Sequence, residues 1–206
     1  MSVVEAIHGG YVANRRVEVL CRHLAEMVPP GPATVLDVGC GDGLLAWMLG
    51  ARRPELAVEG IDILVRKDTR VPVAPFDGSH IPKPDRSVDV VTFVDVLHHT
   101  DDPRILLAEA SRVARRAVVI KDHRLEGFLA GPVLRAMDWV GNARHGVVLP
   151  YNYQTPQQWL GHFEATGLHP EEERIHIGLY PAWASWIFGR RLHLITRLRP
   201  IARSGA

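Results

Sequence analysis

Residues 34–43 read TVLDVGCGDG, a short apolar run carrying one aspartate and then glycine at positions 39, 41 and 43. An almost continuous run of Val and Leu marks a strand buried on both faces. The glycines that follow let the chain bend sharply and bring bare backbone N–H groups against a ligand that a Cβ would hold away. Spacing narrows what that ligand is. A dinucleotide fingerprint reads GxGxxG, whereas this bend reads GxGxG with Leu44 after Gly43. Asp37, two residues ahead of the first glycine, would repel a pyrophosphate and oppose a positive charge. The bend therefore favours a cationic ligand over a phosphorylated one.

Around this stretch the chain alternates. Strands are expected at 34–39, 57–62, 71–76, 88–96 and 117–122, with helices over 43–52 and 103–114. Ahead of them, Val12, Val17, Leu20, Cys21, Leu24 and Val28 recur at the spacing of an amphipathic helix, which PPGP at 29–32 ends. After them come a helix around 128–143, a loop at 144–154, a helix opening with Thr155 as N-cap and Pro156 at N1, and strands at 173–178 and 192–198. Strand-like apolar runs alternating with helical patterns imply a doubly wound, Rossmann-like α/β fold. Its seven-stranded sheet would be mostly parallel, with the last strand antiparallel and helices on both faces. At 206 residues one domain suffices: a helical cap at 1–33, a ligand-binding half at 34–123, and a lid with the closing strands at 124–206.

Composition excludes extremes. The chain is 47% hydrophobic and 23% charged with a net charge of +1, which gives no large field for nucleic acid. Its two cysteines, Cys21 and Cys40, stand far apart without a CxxC spacing, so neither a disulfide nor a metal site is expected, and a reducing cytoplasm fits. No signal-peptide stretch and no run of 18 apolar residues occurs, so the expectation is a soluble protein.

VLDVGCGDG resembles the first motif of class I S-adenosylmethionine-dependent methyltransferases, and three further landmarks follow in that family's order. GID ends the second strand with Asp62; FDG supplies Asp77 and Gly78; SVDVVTFVDVLHHTDDP at 87–103 is similar to the fourth strand and loop of the small-molecule branch that includes ubiquinone and menaquinone biosynthesis enzymes. The resemblance implies S-adenosylmethionine as cofactor and S-adenosylhomocysteine as product. It places Asp37, Gly39, Cys40 and Gly41 in the cofactor cradle, Asp62 with Ile63 at the ribose, Asp77 with Gly78 at adenine, and Asp95 with Val96 at the fourth strand tip. Taken singly, each landmark has a plainer reading. The glycines can form a tight turn, Asp62 a solvated strand end and Asp77–Gly78 an Asp-Gly turn, while Asp37 or Asp95 can cap a helix.

In such an enzyme the methyl group arrives activated, and the protein orients the acceptor in line with it. Phenol or carbon-acid acceptors need deprotonation, for which His98 and His99 after the fourth strand are the leading candidates; the alternative is that they pack beside the adenosyl group or cap the loop. His123 and His145 are further catalytic candidates. With Asp122, Asp138, Trp139, Asn142, Tyr151, Asn152 and Tyr153 they fall in segments that form the family's substrate lid. A small-molecule acceptor is expected. Nucleic acid is not, because no basic stripe occurs and LPYNY lies too far along the chain to act as a base-methylating NPPY motif. Residues 174–206 hold six arginines and no acidic residue. Together with Trp183, Trp186, Ile187 and Phe188 these suggest either membrane-surface contact or, as favoured, tryptophans covering the last strand. Two rival functions share the fold: a nicotinamide-dependent oxidoreductase with Asp62 on the adenosine ribose, which gives Asp77 no role, and a non-catalytic S-adenosylmethionine-binding protein.

Overall fold

The computed structural model describes residues 3–142, 151–189 and 191–201. Helix α1 (Val3–Met27) leads into β1 (Ala33–Val38), and α2 (Leu44–Arg52), β2 (Leu56–Asp62), β3 (Val73–Pro75) and β4 (Val88–Val94) follow. A 3-10 turn at Leu97–His99 then precedes α3 (Pro103–Val113), β5 (Ala114–His123), α4 (Ala130–Asn142), α5 (Pro156–Ala165), β6 (Leu168–Arg174), α6 (Ala182–Phe188) and β7 (His193–Pro200). The described residues build a seven-stranded sheet in the order β3-β2-β1-β4-β5-β7-β6. β1 to β5 are parallel, and β7 runs antiparallel between β5 and β6. This is the doubly wound, mostly parallel sheet that the alternation implied, with the last strand reversed as expected.

The Val/Leu runs are continuous because both faces are covered. Leu36, Val91, Phe93 and Ile120 face α3 and α5, where Leu107, Trp159 and Phe163 meet them. Their chain neighbours Val35, Val90 and Val119 face Leu20 and Leu24 of α1 and Leu49 of α2. Local signals set the helix ends. Asp102 accepts from the N–H of Arg104 with Pro103 at N1 of α3, and Thr155 and Gln158 form a reciprocal capping box with Pro156 at N1 of α5. At the C-terminal end of α1 and just beyond it, the guanidinium of Arg53 donates to the carbonyls of Ala25, Val28 and Pro29.

Three segments depart from expectation. The strand placed at 173–178 lies at 168–174, the one at 71–76 shrinks to three residues, and residues 182–188 form a short helix. β6 reads LHPEEER because it is an edge strand with one neighbour, so its outward positions are charged; Pro170 sits at a break in its register. Strand order reverses between β1 and β4, and this opens a crevice beyond their carboxyl ends.

Candidate functional site

The Gly39–Gly43 bend leaves β1 at that crevice. Gly39 has φ +73°, and a Cβ there would come within 2.6 Å of the Val96 side chain, so only glycine lets the bend lie against the β4 tip. Gly41 has φ +61°, and a Cβ would meet nothing within 4 Å; a side chain would fill open space in front of the bend. Asp62 holds the bend from β2, accepting at 2.8 Å from the Gly41 N–H and at 2.8 Å from the Leu64 N–H. Beneath it, the buried carboxylate of Asp37 accepts from the Thr92 hydroxyl at 2.7 Å. Burial pushes its pKa up to about 6, with Thr92 opposing and Asp62 adding to the rise. Burial, then Asp37 and Asp62, push the Cys40 thiol up to about 12, which favours its protonated form.

Ile63 is largely exposed, and a Cβ on Gly78 would lie 3.3 Å from it, so the β2 and β3 tips adjoin. One Asp77 oxygen accepts from the N–H groups of Ser79 and His80, each at 2.7 Å, which is the Asp-Gly turn geometry. Asp37, Gly39, Cys40, Gly41, Asp62, Ile63, Asp77 and Gly78 therefore ring the ends of β1, β2 and β3, with Val96 closing from β4. The open space before Gly41 and the flanking carboxylates fit the sulfonium nucleoside that the sequence suggested. Asp95 does not join this ring through its carboxylate, nor does it cap a helix. At φ +58° it pairs with Lys121 and, at 2.6 Å, with Arg16 from α1.

Asp95 instead borders a polar cluster at the tips of β4 and β5. His98 Nδ1 lies 2.6 Å from Asp122 Oδ1, and Asp122 accepts from the N–H groups of Leu97 and His123. Asp138 of α4 has one oxygen 3.0 Å from His123 Nε2 and the other 3.5 Å from His98 Nε2. Tyr153 donates to Asp138 at 2.5 Å, and Trp159 donates to the His123 carbonyl at 3.0 Å. The His98 ring is 4.0 Å from His99 and 4.5 Å from His123, and His123 is 5.2 Å from His193. His98, His123 and His193 are buried, whereas His99 is partly exposed. Among the described residues, Nδ1 of His99, His123 and His193 has no hydrogen-bond partner.

These groups are shifted unequally. Burial opposes charge on His98, but Asp122, Asp95 and Asp138 outweigh it and raise its pKa. Burial lowers His99, with His98 adding to the effect. It also lowers His123, against the Asp138 hydrogen bond, and lowers Lys121, against Asp95. Asp95 is held well below the carboxylate range despite burial, by Lys121, Arg16 and the histidines.

The structure thus brings together His98, His99, His123, Asp122, Asp138 and Tyr153; His145 lies outside the described residues. Asn152 serves the loop instead, donating to the carbonyls of Thr100 and Asp101. Trp139 is exposed and Trp186 is 70% exposed. Among the described residues no helix is long and apolar enough to cross a membrane. Sequence reasoning passed over Arg16, Lys121 and His193. His193 stands opposite His123 in register, a pairing that only the reversal of β7 creates.

An uncharacterized methyltransferase of Mycobacterium tuberculosis (strain H37Rv) is 41% identical over 92 residues, 41% of this chain and 47% of that protein, so the chain matches about half the length of that relative. The 27-O-demethylrifamycin SV methyltransferase of Amycolatopsis mediterranei is 28% identical over 202 residues, covering 87% of this chain and 72% of the relative. The geranyl diphosphate C-methyltransferase of Streptomyces coelicolor, solved with Mg2+, geranyl diphosphate and S-adenosyl-L-homocysteine, superposes with a TM-score of 0.67 at 14% identity. The match spans 89% of this chain and 79% of that one, a likeness of fold. Residues 11–173 match the model of the methyltransferase domain, and with the sheet order and the glycine bend above, the chain belongs to that family, the class I S-adenosylmethionine-dependent methyltransferases.

Proposed function

We propose that this chain binds S-adenosylmethionine at the Gly39–Gly43 bend and passes its methyl group to a small organic acceptor by direct in-line displacement. The observation that carries the reading is the space before Gly41, bare of any atom that a Cβ would meet and walled by Asp62. When bound, the cofactor supplies a methyl group already activated on a positive sulfur. The protein's own part is placement. Asp62 accepts from the ribose hydroxyls, Ile63 and Gly78 flank the base with Asp77, and buried Asp37 sets negative charge beneath the bend. The acceptor is held roughly 3 to 3.5 Å from the methyl carbon with water excluded. His99, the partly exposed imidazole of the cluster, receives the acceptor's proton where one must leave. The match to a methyltransferase named for 27-O-demethylrifamycin SV over most of both chains supports a small-molecule acceptor.

Calorimetry with S-adenosylmethionine, S-adenosylhomocysteine and NAD tests the cofactor. Both sulfur compounds should bind in the micromolar range and NAD should not; binding of NAD alone would overturn the reading. Labelled methyl from the cofactor, incubated with cell extract, should appear in low-mass material. Label confined to nucleic acid or protein would remove the small-molecule acceptor while leaving the cofactor in place.

A further inference from the structure

We propose that His98, His123 and Asp138 form a binding site for one divalent transition-metal ion, with an Asp95 oxygen at its rim. One ligating atom from each of Asp95, His98 and His123 lies within 4.8 Å of the others. Asp138 adds oxygens 3.0 Å from His123 Nε2 and 3.5 Å from His98 Nε2. An ion about 2.0–2.2 Å from each ligand spaces neighbouring ligand atoms roughly 3 to 3.5 Å apart. His123 Nε2 with Asp138 Oδ1 and His98 Nε2 with Asp138 Oδ2 already stand at that spacing.

The surroundings orient these groups as a metal site requires. Asp122 holds His98 Nδ1 at 2.6 Å and is itself fixed by two backbone N–H groups, so the His98 ring is locked with Nε2 toward Asp138. A carboxylate behind a ligating imidazole fixes the tautomer that offers its lone pair to the ion. His123 Nε2 donates its proton to Asp138 at 3.0 Å and Nδ1 has no partner among the described residues, so an ion bound at Nε2 takes the place of that proton. Tyr153 steadies Asp138 through its 2.5 Å hydrogen bond. Arg16 and Lys121 pair with Asp95, which makes Asp95 the weakest donor and leaves the ion to the two imidazoles and Asp138.

Two imidazoles with a carboxylate suit Zn2+, Co2+, Mn2+ or Fe2+ better than Mg2+ or Ca2+, which take oxygen ligands. The ligands come from the β4 tip, the β5 tip and α4, beside the cradle, where the ion's remaining positions would face an acceptor oxygen. The site itself does not depend on what the acceptor is.

The full-length protein is freed of metal with a chelator and titrated with Co2+ and Zn2+ by calorimetry. S-adenosylhomocysteine binding is measured separately on the metal-free protein, so that each reading fails on its own. Expected are one ion per chain at micromolar affinity or tighter, and hyperfine-shifted imidazole proton signals in the Co2+ form. His123→Gln and Asp138→Asn should each weaken binding at least tenfold, and Asp122→Asn on the order of 10–100-fold, as loss of an outer-shell partner does. Thermal melts identify variants that fail to fold; the wild-type Co2+ spectrum remains decisive if all of them do. Binding only in the millimolar range, a Co2+ form without imidazole signals, or affinity unchanged in folded His123→Gln would each overturn the proposal.

Discussion

Gly39 and Gly41 share a left-handed backbone and differ in what a side chain would strike. A Cβ at Gly41 meets no atom within 4 Å, so Gly41→Val should cost stability mainly the strain of its φ, about 1–2 kcal/mol, while abolishing S-adenosylhomocysteine binding in calorimetry. Gly39→Ala runs into Val96 and should destabilise more, with Val96→Ala recovering part of the loss in a double-mutant cycle by denaturant melts. Asp37 imposes a pH dependence. Its folded pKa of about 6 lies above the usual carboxylate value, so between about pH 4 and pH 6 the unfolded chain has released a proton that the fold still holds. Stability falls as pH rises through that window, by about 3 kcal/mol for a shift of about two units. The cofactor-free wild-type profile minus that of Asp37→Asn should show this fall, and parallel profiles would refute it. That Asp37, Gly39, Gly41, Asp62 and Gly78 converge at adjoining strand ends was legible because they sit in contiguous motifs there. The partners of Asp95 were not, since Arg16 reaches it from a helix 79 positions away and Lys121 from the next strand.

Among the elements, α5 shows how far local chemistry carries. Thr155, Pro156 and Gln158 announce a helix start before any packing is considered, and the capping box forms. Thr155→Ala should cost about 1 kcal/mol in denaturant melts without moving the binding of S-adenosylhomocysteine. The central strands were equally readable, because being covered on both faces forces apolar residues at successive positions. β6 escaped for the opposite reason: with one neighbour and a proline at a register break, LHPEEER carries too little apolar alternation, and the more aliphatic ERIHIG drew the assignment five residues late. α6 is seven residues long, too short for its period to stand out from the Trp-rich run it occupies.

Across the whole molecule both apolar layers lie on one sheet, so neither can be lost without uncovering strands of the other. Unfolding should therefore be a single cooperative transition, with fluorescence of buried Trp159 and far-UV circular dichroism coinciding. Two separated transitions would divide the chain near residue 123 into independent units. β7, last in the chain, occupies an interior position in the sheet, between β5 and β6. During synthesis, β6 emerges from the ribosome before β7, the strand it pairs with among the described residues, and the outer side of β5 waits open as well. A nascent chain short of residue 200 thus leaves bare, on both β5 and β6, the edge that β7 covers, and closing of the sheet awaits release of that strand.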